Sequence, residues 1–492
     1  MNRALLVVFM LSLLCSEARG GSFRFFESEM ESKYPDFQED VLSDSLRIFL
    51  TEKAFFDKSS IYADAVKRFY RANNYQLVWT KDFFDNPRID TLLSHIQCST
   101  VHGLNPEHFE KTAIIHLRDS LKTGWFGKGM PDIYRSFRQL EYLLTKAYID
   151  YATGLKYGFL SPQKLFPRAY YIATQTPDSA HYADLFAAMD APSDYLAGVQ
   201  PADTFYLQLQ ALLTQYQDSL PYYKTVQANL ERYRWKRKTP PSDKYILVNV
   251  AAFNLLAVAP DSKPLTMNVC VGKVTNQTPL LESEIAYMNL NPTWNVPASI
   301  IENEIYWAVR KDSTYLTRQR MKILRGEKEI APDSIDWGKI DPKHFPYQIR
   351  QDPGDDNSLG RIKFMFKNPF AVYLHDTPSK RHFLRANRAV SHGCVRVQHP
   401  MDVAYFCLPT KVPVYFDRLR ASIDLPPISE EGKKLKKQGL LGVLDNDIIL
   451  LAPKVPLTID YRTIYALPDG KIYFADDVYG FDTGIRKALL LN

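Results

Sequence analysis

Val372-Tyr373-Leu374-His375-Asp376-Thr377, followed by Ser391-His392-Gly393-Cys394-Val395-Arg396-Val397, is the stretch on which the reading of this chain turns. The first segment alternates as a strand does and ends on a histidine, and Tyr373 shares the face of His375 two positions later. Cys394 comes nineteen positions after His375. Working outward, Arg361 to Phe366 and Phe370 to His375 carry strand patterning, as do Tyr245 to Val250, Phe253 to Ala259 and Leu265 to Val271 before them. Pro260-Asp261 marks a turn ahead of the last of these. Between Pro297 and Leu359 the character shifts. Ser299 with Glu302 has the pattern of a capping box opening a helix through Ile305 and Val309, and a polar loop rich in Pro and Asp follows. An insertion over about 301–358, between strands of one sheet, is where a lid would be placed.

Upstream the period is helical. Arg135 to Tyr157 carries Phe137, Leu140, Leu144, Ala147, Tyr148 and Tyr151 along one broad face, which predicts a helix in an aromatic-rich core. Phe205 to Trp235 reads as a helical pair interrupted by Pro221, and Thr239-Pro240-Pro241-Ser242 then breaks the pattern. A chain of 492 residues exceeds one compact core. The expectation is an α+β multidomain protein: a mainly helical domain over 21–240 and a β-rich domain over 241–420 carrying the insertion. A segment over 421–492 follows, with strand-like pieces at Leu457 to Tyr461 and Ile472 to Ala475 packing on one domain or the other. No internal repeat and no low-complexity segment is evident.

Composition excludes some classes of function. Hydrophobic residues make up 46% and charged residues 24%, ordinary for globular domains. The net charge of +6 lacks the clustered basic stripe of a nucleic-acid binder. The one dense basic run, Lys433, Lys434, Lys436 and Lys437, reads as solvated surface. Arg3 and the apolar run Ala4 to Leu14 look like a signal peptide over 1–20, with small residues at Ser16, Ala18 and Gly20 for cleavage. No later apolar run is long enough to span a bilayer, so the mature chain is expected to be exported to the periplasm or cell envelope without an integral span. Leu14 stands before Cys15 where a lipidation signal wants a small residue. Removing Cys15 leaves Cys98, Cys270, Cys394 and Cys407, neither a disulfide framework nor a metal pattern. Cys270 and Cys407 lie in apolar segments and read as small buried hydrophobes.

Only Cys394 has company that suggests chemistry. A free thiol is a few per cent thiolate near neutrality, so a cysteine nucleophile needs a base or positive surroundings. Two histidines and Arg396 supply both. Gly393 lets a backbone approach closely, and its N–H with that of Cys394 could point at an oxyanion. A cysteine near a histidine in sequence is usually packing. A polar Ser-His-Gly-Cys between Arg388 and Arg396, however, makes poor core.

Ser391-His392-Gly393-Cys394 with upstream His375 resembles the L,D-transpeptidase family, whose YkuD-type catalytic domain is a β-sandwich. Val271-Gly272-Lys273, Thr278-Pro279, Asn291-Pro292-Thr293-Trp294-Asn295-Val296-Pro297 and Asn357-Ser358-Leu359-Gly360-Arg361 are similar to the large subtype, which has a scaffold domain and a substrate-capping insertion. His102-Gly103-Leu104-Asn105-Pro106 and Asn229-Leu230-Glu231-Arg232-Tyr233-Arg234-Trp235 are similar to that scaffold, so the likeness runs from about Val66 to Asp482. It implies Cys394 as nucleophile, His375 as general base, His392 shaping the oxyanion region, and Arg396 ordering the site or meeting a substrate carboxylate. Ser391 is placed with the substrate, and Tyr373 is either the family's tyrosine near the oxyanion hole or a plain strand aromatic. The implied reaction joins peptidoglycan stem peptides, needing no metal or organic cofactor and no nucleic acid.

The sequence departs from the family pattern in two places. Leu160 to Tyr206 is too short for the peptidoglycan-binding module many large members carry, and Asp376 follows His375 where smaller members often have Gly or Ser. The rival readings are another exported cysteine acyltransferase or wall-peptide hydrolase, such as a sortase-like enzyme, and an inactive wall-binding scaffold.

Overall fold

A computed structural model describes Tyr34 and residues 36–51, 63–80, 87–124, 129–240, 242–260, 262–409 and 411–489. The signal-peptide reading and Cys15 lie outside the described residues.

The helical half forms as its periodicity predicts. Its central helix, α1 (Met130–Tyr157), buries Phe137, Leu140, Leu144, Ala147, Tyr148 and Tyr151, the face read from the sequence. Periodicity gave no hint that Glu141 is buried on this helix. Its carboxylate accepts from the N–H groups of Val78 (2.6 Å), Trp79 (3.1 Å) and Thr80 (3.2 Å) and from the Tyr70 hydroxyl (2.9 Å). Burial pushes that carboxyl up, and these donors oppose the push. Pro221 falls in the first turn of α2 (Leu220–Arg234), where a missing N–H costs nothing, and Thr204–Gln215 forms the other helix of the pair.

Past Thr239 and Pro240 the chain turns to strands: β1 (Tyr245–Asn249), β2 (Asn254–Val258), β3 (Leu265–Gly272) and β4 (Leu281–Leu290). The insertion contributes β5 (Trp294–Asn295), β6 (Met321–Arg325), β7 (Lys328–Ile330) and β8 (Gln348–Gln351). The sheet then resumes with β9 (Ile362–Phe366), β10 (Leu374–His375), β11 (Ala389–Ser391), β12 (Val395–Val397) and β13 (Ile448–Asp460). Nine of these strands form one sheet in the order β11-β3-β12-β10-β9-β4-β13-β1-β2, and β2 also pairs with β3. The expected sandwich-like domain is a single sheet that closes on itself through the β2–β3 pairing, with β11 added on β3. Leu374, Val395, Val269, Met288, Leu457 and Ile246 fill the interior with the Phe416 and Cys407 side chains of the following helices. Each such side chain is worth roughly 1.5–3 kcal/mol of burial.

Three expectations are corrected here. The segment after 421 does not merely pack on a domain. Its β13 lies inside the sheet, antiparallel to β4 and parallel to β1. Pro453 and Pro456 hid a strand this long: the register shifts between Leu450 and Val455, and Pro453 sits in that irregularity. The insertion is not a helix followed by a loop. The order β5-β8-β6-β7 makes a second small sheet, with a core of Val296, Ile300, Ile305, Val309, Leu316, Ile323 and Ile349, so the folded unit begins at Trp294. The Ser299–Glu302 capping box does not form either. Pro297 sets the helix start, and Ser299 lies within the first turn, its carbonyl taking the Asn303 side-chain amide (2.7 Å).

The two halves share buried polar contacts. The Arg232 guanidinium of α2 meets Asp482 (2.6 Å) at the start of a helix over Phe481–Ala488, and Asn229 donates to Thr463 (2.6 Å). The Leu280 N–H donates to the Ala169 carbonyl (2.7 Å) and the Tyr171 N–H to the Leu280 carbonyl (2.7 Å).

Candidate active site

Register builds the site. β10 and β12 run parallel with Leu374 opposite Val395 and His375 opposite Arg396, and the Val395 N–H donates to the Tyr373 carbonyl (3.1 Å). Leu374 and Val395 point into the core, so alternation puts Tyr373, His375, Cys394 and Arg396 together on the other face. Antiparallel β9 sets Lys363 opposite His375 on its free side.

His375 is 4% exposed. Its Nδ1 lies 2.5 Å from the Asp376 carbonyl oxygen, which can only accept, so Nδ1 carries the proton and Nε2 keeps its lone pair. Burial first, then the Arg396 charge, pull the imidazole down to about 3, against the carbonyls of Asp376 and Leu359. The Asp376 carboxylate is not the orienting group. It takes the N–H groups of Arg361 (3.0 Å) and Thr377 (2.7 Å) and the Lys380 ammonium (2.5 Å).

Cys394 is partly accessible, whereas Cys270 and Cys407 are buried. Burial raises its thiol above the usual range, while the Tyr373 N–H and hydroxyl and the charges of Arg396 and Lys363 draw it down. The Tyr373 phenol is raised by burial and by the neighbouring Cys394, and its ring stands edge-on to His375 at 5.5 Å. The thiol can also donate to the Ala371 carbonyl (3.9 Å), and His375 lies diagonally across the strand pair.

The remaining motif residues each hold contacts of their own. Ser391 is buried, donates to the Cys394 carbonyl (2.6 Å) and accepts from the Gly393 N–H (3.1 Å). It clasps the turn through these two bonds, one of which takes the Gly393 N–H. Gly393 holds φ +120°, which only glycine adopts freely. The Cys394 N–H has no partner among the described residues. His392 turns away from the thiol toward the insertion, where its Nε2 meets Glu304 (2.6 Å), which Lys273 also contacts (3.2 Å). Burial alone would raise the Glu304 carboxyl, but these two partners outweigh it and hold it below the ordinary value.

Sequence reasoning missed Glu304, Lys363, Tyr479 and the role of Thr278. Thr278 was visible only as half of a Thr-Pro pair. Its Oγ1 accepts from the Gly272 N–H (2.8 Å) and donates to the Gly393 carbonyl (2.8 Å), and its N–H donates to the Tyr479 hydroxyl (3.1 Å). No described helix is long and apolar enough to cross a membrane.

A partly accessible thiol, a buried imidazole and a tyrosine thus share one face of a closed sheet. Residues 243–415 match the family described as the L,D-transpeptidase catalytic domain (YkuD), and residues 64–213 match the one described as a scaffold domain. The chain carries a YkuD L,D-transpeptidase catalytic domain joined to a scaffold domain. It is 31% identical over 254 residues to a Haemophilus influenzae protein named "Putative L,D-transpeptidase". That alignment covers 51% of this chain and 47% of the relative, so the chain spans about half the length of the curated relative it matches.

Proposed function

We propose that the protein is an exported L,D-transpeptidase that forms 3→3 cross-links between peptidoglycan stem peptides. The observation that carries this reading is the single sheet face shared by Cys394, Tyr373, His375 and Arg396. Cys394 sulfur attacks the carbonyl of the third, L-configured residue of a donor tetrapeptide, passing its proton to His375 Nε2. The Cys394 N–H and the Tyr373 hydroxyl receive the charge that develops on the carbonyl oxygen. His375 returns the proton to the departing D-alanine amine, leaving a thioester on Cys394. An amine on the third residue of a neighbouring stem takes the acyl group, gives its proton to His375 and frees the thiol. Water in its place gives the L,D-carboxypeptidase product.

The insertion reaches the catalytic turn through Glu304 and His392, which supports its reading as a cover that limits that water. Mass spectrometry of muropeptides incubated with the purified mature chain tests the function. Cross-linked dimers lost in Cys394→Ala are expected, and intact tetrapeptide throughout would overturn the reading.

A further inference from the structure

We propose that Lys363 binds the free carboxylate of the residue that leaves the donor peptide, so that the site selects peptides ending one residue past the scissile bond. The inference rests on the reaction proposed above. Lys363 and Arg396 stand on either side of His375, one on β9 and one on β12, across neighbouring strands of one sheet face. Strands lie about 4.8 Å apart, so the base is flanked closely by two cations.

Neither cation has a carboxylate partner among the described residues. Lys363 is half-buried, with its ammonium 5.5 Å from the Tyr373 ring centroid. Arg396 touches the His382 ring (3.3 Å) and leaves its Nε buried without a partner. Arg232 is matched by Asp482, Arg234 by Glu231, Arg237 by Glu282 and Lys146 by Asp150, whereas Arg138 and Arg388 are met by a serine hydroxyl and by backbone carbonyls respectively. Holding two unmatched charges in a sheltered site is costly unless an anion arrives.

The reaction says where that anion sits. His375 protonates the departing amine, and the carboxylate of a departing amino acid is on the carbon next to that amine. A cation lateral to the base is therefore placed to meet it. Arg396 has one end on His382, while Lys363 has no hydrogen-bond partner among the described residues and offers its three N–H groups. A C-terminal amide, or a chain that continues, presents no charge at this point.

The test uses the full chain with Cys394→Ala, which binds a donor without cleaving it. Calorimetry compares a tetrapeptide bearing a free C-terminal carboxylate with its C-terminal amide. The acid is expected to bind about 10- to 100-fold more tightly, as a charge-assisted hydrogen bond allows. Adding Lys363→Met should abolish the difference by weakening the acid alone, and adding Lys363→Arg should keep most of it. Equal affinities in the Cys394→Ala chain, a preference that survives Lys363→Met, or no binding of either peptide overturns the assignment. Turnover by the unaltered enzyme is scored separately. Cross-linking without carboxylate discrimination sinks this subsite alone, and discrimination without turnover sinks the proposed reaction alone.

Discussion

Thr278 Oγ1 donates a hydrogen bond to the carbonyl of Gly393 at 2.8 Å, fixing the peptide unit that leads into Cys394. The same hydroxyl accepts from the Gly272 N–H, and a Cβ at Gly272 would lie 2.0 Å from the Asn276 carbonyl, so the loop between β3 and β4 folds tightly back on the end of β3, where Gly272 pairs with Ser391. The Tyr479 hydroxyl continues the chain of bonds, accepting from the Thr278 N–H and donating to the Gly272 carbonyl (2.6 Å). The backbone leading into Cys394 is therefore tied to Tyr479, more than 80 positions later in the sequence.

Thr278→Val keeps the shape and removes the hydroxyl, leaving buried backbone groups of Gly272 and Gly393 short of a partner. A loss of about 1–3 kcal/mol of stability is expected. Because the turn that aims the Cys394 N–H would shift, kcat should fall by about 10- to 100-fold with KM little changed. Thr278→Ser should recover most of kcat. Steady-state release of D-alanine alongside thermal melts checks this, and a valine variant with normal kcat would make the bond purely structural.

Cys394 is expected to be the only described thiol that a carbapenem acylates. A β-lactam presents a strained carbonyl to the nucleophile, and Cys270 and Cys407 are buried, with burial raising both thiols. Intact-mass spectra should show one adduct on the unaltered chain and none on Cys394→Ala.

His375→Ala should lower turnover by at least about 10²–10⁴. The burial of the imidazole adds a pH signature. Its folded value of about 3 lies below the unfolded 6.5, so between these values the unfolded chain binds a proton that the native chain does not. Stability is full above about pH 6.5 and falls as the pH drops toward 3, by about 1.4 kcal/mol per pH unit for each such histidine. His102, also lowered to about 3 by burial, acts in the same direction. Denaturant midpoints measured from pH 7 to pH 4 should fall, and His375→Gln should flatten the slope. The acid limb of kcat/KM should lie below pH 5. A limb at 6.5 would mean the imidazole is solvated in the free enzyme.

What the sequence disclosed and what it hid divide along a physical line. Alternation and helical period follow from local burial, so α1, β1, β2, β3 and β9 were readable, as was the sharing of one face by Tyr373 and His375. Residues joined by long-range pairing left no local trace. β13 was masked by its prolines, and Lys363 became a site residue only through its register with His375. The motif singled out the one accessible thiol of the three described as free, but not the contacts its neighbours make. Nothing in Ser391-His392-Gly393 says that the serine turns inward to take the glycine N–H or that the histidine turns outward to a glutamate 88 positions earlier.

That glutamate supplies the last prediction. Glu304 sits in a π-helical turn over Ile301–Ile305, a local widening often found at functional sites, and it is the insertion's polar hold on the residue two before the nucleophile. The contact is partly exposed, with side-chain exposures of 33% for His392 and 44% for Glu304, so it is worth a small energy and is suited to opening and closing. Glu304→Gln removes the charge that His392 and Lys273 share while keeping the size of the side chain. Thiol alkylation at Cys394 should then change by no more than a few-fold, since no group beside the sulfur is altered. The ratio of cross-linked dimer to hydrolysed tripeptide should fall, because a looser cover admits water to the thioester. Raising ionic strength should move the unaltered enzyme in the same direction and the variant less. Hydrogen exchange provides the independent check: protection across 298–311 should drop in Glu304→Gln. An unchanged product ratio together with unchanged protection would leave the Glu304–His392 pair as surface decoration and the cover held by other contacts.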